Sequence, residues 1–363
     1  MSARGLRRVL VPGLLVAFVV VATACRAVPV TAGVSTSSGF LTRSAEDQAT
    51  DLASWAQADA RWVRITLDWS AVQRIREDHY NWTQFDGMVR RAEAAGLEVL
   101  AVPMWTPAWA NGGLDYRTPP DDPATYGRFV QAASARYRPG GNAHTHVRAW
   151  EIWNEPNHTA FWVGAPDAVG YAALLRAAST GIHTSDPQAI VVTGGLAPLW
   201  DLGRWPDNPQ HPINFLKALY AAGAKDSFDA VGHHPYPPLP ASPLTRTPGY
   251  LGWNPFLYTE TLRQVMVEHG DGLKQIWGTE AGVATGDCFG CVSEDAQAVY
   301  LWEMFTTWRG WPWAGPLLWH TGRDDATGST RIDDNFGLVH SDFSPKPALG
   351  VADALWPLFD VRP

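Results

Sequence analysis

The strongest constraint on how this chain can fold is a rhythm in which short β-branched or aromatic runs alternate eight times with longer amphipathic ones. The runs are "AGVSTSS" (32–38), "WVRITLDW" (62–69), "LEVLAVPMW" (97–105), "VRAWEIWN" (147–154), "AIVVTGG" (189–195), "FDAVGHHPY" (228–236), "QIWGTEAG" (275–282) and "PLLWHT" (316–321). Apolar runs bounded by turn signals suit strands covered on both faces, as in a parallel sheet. Helical periodicity predicts helices over 46–58, 83–95, 124–137, 167–184, 212–222, 258–269, 293–309 and 346–356. Asn81 and Ser293 stand where N-caps belong, and Gly96, Gly181, Gly223, Gly270 and Gly310 fall at or near helix ends. Consecutive βα units without a second block of strands predict an α/β fold. It is a single closed (β/α)8 TIM barrel over 32–363, with its working residues at the C-terminal ends of the strands. A doubly wound open sheet would need a glycine-rich phosphate turn after the first strand, which "STSSGFLT" does not provide.

The first 24 residues read as a signal peptide, followed by a short linker over 25–31. Arg4, Arg7 and Arg8 precede an apolar run from Val9 to Val21, and Ala22-Thr23-Ala24 supplies small residues for cleavage. Cys25 directly after them resembles a lipoprotein acceptor, so the chain is expected at the cell surface on a lipid or else secreted, with an uncleaved anchor as a third reading. Past Cys25 the only cysteines are Cys288 and Cys291, in "CFGC". In an exported chain they read as a local disulfide, against a redox or metal role; a structural zinc would need a second pair. No metal and no cofactor are expected.

Charge and aromatic content narrow the ligand. With a net charge of −8 and four lysines, the chain lacks the basic footprint of a nucleic-acid binder. Its 19 tryptophans fill a core or line a surface that stacks flat apolar faces, such as those of sugar rings. A carbohydrate polymer or oligosaccharide is therefore the expected partner, bound by a monomer. Residues 196–212 and 237–256 are rich in Pro and Trp and suit cleft walls, whereas "GRDDATGSTRIDDNFG" (322–337) reads as a solvated loop with internal ion pairs.

Polar and aromatic residues crowd the predicted strand ends: Asp68, Trp69, Trp105, Asn154, Glu155, His234, Tyr236, Glu280, Trp319 and His320. Glu155 in "WNEPN" and Glu280 in "WGTEAG" end the fourth and seventh strands, which can aim both carboxylates at one centre across a barrel mouth. Two facing carboxylates are what cleavage of a glycosidic bond requires. A structural ion pair is the competing reading for either one. Asn154 can hydrogen-bond a sugar hydroxyl beside the reacting carbon, and Trp105 and Trp109 stand where stacking on sugar is expected. Trp153 and Trp162 read more readily as core.

"WEIWNEPN" with a later "TEAG" resembles the glycoside hydrolases of clan A. "WVRITLDW", "FDGMVRRAEAAGLEVL", "TPAW" and "GLVHSDFSPKPAL" are most similar to families 39 and 5, over about Ser35 to Leu355. The resemblance implies Glu155 as acid/base and Glu280 as nucleophile. It also implies Arg64 near the nucleophile, His234 and Tyr236 in the glycone subsite, and Trp319 as the sugar platform on the eighth strand. Independently, a cation inside an apolar strand would hold a nearby carboxylate ionised; a plain buried partner for Glu151 is the lesser alternative for Arg64. By strand alternation Glu151 shares the direction of Glu155 and sits deeper, and only one of His233 and His234 can face the site. "PMWTPAW" lacks the histidine that family 5 carries near the end of strand three, and no residues remain for the β-sandwich of family 39 xylosidases. A barrel alone is expected to be endo-acting. The competing readings are a transglycosylase of the same fold and a non-catalytic carbohydrate-binding surface protein. A serine or metal hydrolase lacks its motifs, G-x-S-x-G and H-E-x-x-H.

Overall fold

The structure, a computed structural model, describes residues 27–198, 208–237 and 254–359. The expected leader, Cys25 and most of the two Pro- and Trp-rich segments lie outside the described residues. Eight strands form a closed, all-parallel barrel in chain order: β1 Ala32–Ser35, β2 Trp62–Asp68, β3 Glu98–Met104, β4 Ala149–Ile152, β5 Ile190–Thr193, β6 Ala230–His233, β7 Gln275–Ala281 and β8 Ala314–His320. β8 closes the ring on β1 through pairs from Ala32↔Leu317 to Ser35↔His320. The helices are α1 Ala45–Gln57, the short α2 Trp69–Val72, α3 Thr83–Ala94, α4 Pro123–Tyr137, α5 Ala168–Ser185, α6 Pro212–Ala221, α7 Tyr258–Glu268, α8 Glu294–Arg309 and α9 Pro347–Leu355. The single (β/α)8 barrel expected from the alternation is the fold observed; α2 is the helix that the alternation did not announce.

Two apolar layers hold the barrel. The helices bury their inner faces on the outside of the strands, and a second cluster fills the lower interior with Trp62, Leu100, Ala149, Ile190, Val192, Ala230, Trp277 and Leu318. Trp62 and Trp277 meet edge to face there, ring centroids 5.1 Å apart. This plug closes the bottom, so polar groups higher in the barrel open only upward. The segment before β1 is tied to the same end, because Val28 N–H donates to the Gln275 side chain at 2.9 Å and the Gln275 amide donates back to Val28 O at 2.8 Å.

Local chemistry explains most boundaries. Ser293 caps α8 by accepting from Ala296 N–H, as its position predicts, and Asp122 and Asp167 cap α4 and α5 in the same way. Asn81 falls one residue early: Trp82 is the N-cap of α3, and the Asn81 side chain accepts from Thr83 N–H at 3.2 Å. Gly181 does not end a helix. It lies within α5, where a Cβ would stand 2.4 Å from Gly127 O, so this glycine lets α5 approach α4.

Candidate active site

At the top of the barrel, Arg64 of β2 is the hub. Its Nε donates to Glu151 Oε2 at 2.8 Å and its Nη2 to Glu151 Oε1 at 3.1 Å. Nη1 donates to Glu280 Oε1 at 2.5 Å and Nη2 to Asn154 Oδ1 at 2.6 Å. The two readings of Arg64 are therefore both realised, since it is the buried partner of Glu151 and the cation beside Glu280. Glu151 has no exposure and also accepts from Gly195 N–H at 2.8 Å and Thr279 Oγ1 at 3.3 Å. Saturated in this way, it is a structural partner that fixes the guanidinium.

Glu155 and Glu280 converge above this pair. One ligand atom from each of Glu155, His234 and Glu280 lies within 4.8 Å of the other two, and each carboxylate side chain is 13% exposed. His234 Nδ1 stands 2.8 Å from Glu155 Oε1 and 3.7 Å from Glu280 Oε2. Tyr236 donates its hydroxyl to Glu280 Oε2 at 2.8 Å. Glu155 does not reach this position by strand alternation. β4 ends at Ile152, and Trp153 (φ 69°) and Glu155 (φ 41°) take left-handed backbone conformations that turn the acid into the mouth. Each such residue costs roughly 1–3 kcal/mol. Trp153 is held there by full burial and by its indole N–H, which donates to Phe161 O at 2.9 Å.

The electrostatics separate the two acids. Burial pushes the Glu280 carboxyl up, but His234, Arg64, His320 and the Tyr236 hydroxyl outweigh it and hold the group at about 2. Burial pushes His234 down, yet Glu280 and Glu155 overcome it and the imidazole is raised above its ordinary value. Burial, reinforced by Glu280, lifts Tyr236 well above the phenol range, so its hydroxyl keeps its proton. His233 points away from the mouth. It lies 3.0 Å from Leu196 O and 3.3 Å from Pro255 O, and burial lowers it to about 4. Gly195 makes the arrangement possible, because a Cβ there would sit 2.1 Å from His234 Nε2. Among the described residues, Glu155, His234 and Glu280 form the group whose spacing would suit a metal ion, while Glu280 is already paired with the Arg64 guanidinium.

The carboxylates open into a cavity of about 930 Å³. Trp105, His158 and Phe161 line it on the Glu155 side, and His320, Phe336 and Phe289 on the side of β7 and β8. Two expected tryptophans stand elsewhere. Trp319 is fully buried and donates its indole N–H to Phe336 O at 3.1 Å; alternation on β8 turns it outward and brings in His320, the register partner of Ser35. Trp109 packs edge-on against Trp69 and donates to Gln73 O at 2.6 Å, away from the cavity lining. Trp105 lines the cavity, with its backbone at φ 70°. Trp153 and Trp162 are core residues. Cys288 and Cys291 are bonded, with Cα atoms 5.2 Å apart.

The segment 322–337 is solvated only in part: residues 326–328, 330, 331 and 333 are exposed as its composition predicts, but Arg323, Asp324 and Asp325 pair with residues outside it. Arg323 and Asp324 are buried, while Asp325, Asp333, Asp334 and Phe336 line the cavity. His320, this segment, and the cavity-lining His158, Phe161 and Phe289 are site elements that sequence reasoning missed. His320 stood at a predicted strand end, but its inward phase could not be read there.

No protein-family model matches the sequence, and no curated protein matches it. Solved structures are similar to it. A family 39 glycoside hydrolase from Bacteroides cellulosilyticus aligns at TM-score 0.71 and 22% identity over 91% of this chain, which spans 64% of that protein's length. GH5_18 from Streptomyces cattleya in complex with GlcNAc aligns at TM-score 0.69 and 15% identity, over 93% of this chain and 82% of the other. A fungal β-1,4-galactanase aligns at TM-score 0.61 and 17% identity, over 90% of this chain and 100% of the other. The fold is thus shared with enzymes of the families that the motifs resemble.

Proposed function

We propose that this chain is a retaining glycoside hydrolase, with Glu280 as nucleophile and Glu155 as acid/base. The observation that carries this reading is the approach of Glu155 and Glu280, joined by His234 within 4.8 Å, with Glu280 alone fixed by Arg64. Retaining enzymes hold their carboxyl groups about 5–5.5 Å apart, whereas inverting enzymes leave about 6.5–9.5 Å for a water. Glu280, kept ionised at about 2, attacks the anomeric carbon while Glu155 gives its proton to the leaving oxygen. Because His234 occupies Glu155 Oε1, the proton to be delivered belongs on Oε2. Water then attacks the glycosyl ester, Glu155 takes its proton, and Glu280 leaves as carboxylate. Asn154, whose Oδ1 accepts from Arg64, binds the hydroxyl next to the reacting carbon in this reading.

A cavity lined on both sides of the acids suits internal attack on a chain. The similar structures include a β-1,4-galactanase and a GH5_18 enzyme in complex with Manb1-4GlcNAc, which supports a β-1,4-linked substrate. Export on a lipid at Cys25 belongs to the same proposal; mass spectrometry of the mature N-terminus in a bacterial host tests it, and an unmodified Cys25 overturns it. Purified protein should release reducing ends from at least one of β-1,4-galactan, β-1,4-mannan and β-1,4-xylan, with retained anomeric configuration by proton NMR. Glu280→Gln should abolish release, and azide should restore turnover in Glu280→Gly. Inverted product, or full activity in Glu280→Gln, overturns the proposal.

A further inference from the structure

Phe289 is fully exposed, at 101% of its reference area, the most exposed aromatic side chain among the described residues. An apolar ring left in water is ordinary on a mobile tip, but this one sits on a braced tip. It stands inside the Cys288–Cys291 disulfide, whose turn is closed by Cys291 N–H donating to Cys288 O at 3.0 Å. The flanks are tied as well. Gly286 N–H donates to Val292 O at 3.1 Å, Val292 N–H to Ala284 O at 2.9 Å and Thr285 N–H to Asn335 O at 3.0 Å. The chain therefore braces the backbone that carries this solvent-facing ring, and Phe289 stands on the wall of the cavity containing Glu155 and Glu280.

Its side of the cavity follows from the topology. The leaving oxygen must lie at Glu155, after β4, so the leaving group occupies the wall of Trp105, His158 and Phe161. Phe289 follows β7, and Asp333 and Asp334 of the segment after β8 line the cavity with it. A flat apolar ring in a cavity that also carries carboxylates is the chemistry that receives a sugar: the C–H face stacks, and the hydroxyls donate to the acids.

We propose that the Cys288–Cys291 loop is a built sugar subsite, in which Phe289 stacks on a ring of the substrate chain on the glycone side, beyond the ring that is attacked. It rests on the hydrolase reading above and deepens it. The disulfide acts by pre-organisation, so that little side-chain and loop freedom is lost when the sugar binds.

The test uses the full chain and two sets of probes: tetraoses of β-1,4-linked galactose, mannose and xylose, and the p-nitrophenyl β-glycosides of the same sugars. The quantity read is the ratio of kcat/KM on the best tetraose to kcat/KM on its aryl glycoside. Phe289→Ala should lower that ratio about tenfold, mainly through KM, and Phe289→Trp should keep it within about twofold. Cys288→Ser/Cys291→Ser should lower it by an intermediate factor, and circular dichroism checks the fold of each variant. An unchanged ratio in Phe289→Ala overturns the subsite and leaves the hydrolase reading intact. Turnover that survives Glu280→Gln, or no cleavage of any probe by the wild type, overturns both.

Discussion

Two of the buried charge networks among the described residues differ in what their charges face. At the barrel mouth, Arg64, Glu151, His234 and Glu280 interlock below an open cavity. Behind the segment after β8, Asp51 holds Arg43 and Arg323, and Lys346 meets Asp324 with neither side chain exposed. Arg43 also reaches Asp325 on the cavity wall, but the Lys346–Asp324 pair is closed on itself. Lys346 Nζ donates to Asp324 Oδ1 and Thr285 Oγ1, both at 2.8 Å, while Asp324 also accepts from Gly337 N–H at 2.7 Å and Thr327 Oγ1 at 2.9 Å. Burial displaces charge there too, raising Asp51 and lowering Lys346. A shifted ionisable group therefore does not by itself mark a reactive site. At the mouth, Glu155 and Glu280 line the cavity as well as meeting protein donors, and this openness separates a site from a brace.

The largest effect is expected where that openness is used. Glu280→Gln is expected to lower kcat by about 10⁴-fold or more, because the covalent step proposed for it would be lost. If single-turnover kinetics showed a normal glycosyl-enzyme burst in this variant, the contrast would fail. Glu155→Gln should cost about 10²–10⁴-fold on a polysaccharide, where the leaving oxygen needs a proton. On an aryl glycoside with an acidic phenol the loss should be much smaller, and equal losses on both substrates would remove Glu155 from the acid role.

The closed network should answer in stability. Lys346→Met leaves Asp324 buried without its cation, and breaking a buried pair in this way costs about 3–5 kcal/mol. Urea denaturation reads this directly. Lys346→Met/Asp324→Leu should recover a large part of the loss, and the pH profile of kcat/KM should keep its shape in both variants. A profile displaced by a whole unit would show that the brace belongs to the site.

How much of this could be read beforehand depended on how local the information was. The strands were legible because each is a short apolar run, and Glu155 and Glu280 were legible because a carboxylate in such a run demands a reason. The exchange of Trp319 for His320 was not legible, since it rests on the phase of β8. Pairing between β7 and β8 shifts register between Ile276 and Gly278 and again between Gly278 and Ala281, so alternation cannot be carried across from Glu280. Likewise, nothing within 322–337 reveals that Arg323 will find Asp51, 272 positions away. The left-handed backbone at Trp153 and Glu155 was hidden because neither residue type advertises it.

The smallest effect is the one that most sharpens the comparison, because it is a matter of pH. Glu280 is depressed in the folded chain to about 2, against about 4.3 for an unperturbed glutamate. A carboxyl with a depressed folded value adds stability that is present above the unfolded value and lost as pH falls through the folded one, here between about 4.3 and 2. His234 has the opposite sign. Its folded value is raised, so its contribution is full below about 6.5 and is lost as pH rises through the folded value. On acidification, kcat/KM should therefore hold level through pH 4 for as long as circular dichroism reports a folded chain; an acid limb near 4 in folded protein would refute the charge assignment of Glu280. Tyr236→Phe removes one donor from Glu280 and keeps the ring, so the acid limb should move upward. The move should be modest, because His234, Arg64 and His320 each act on that carboxyl more strongly than the phenol does. If the limb stays where it was, the hydroxyl belongs to the packing of the mouth and not to its charge.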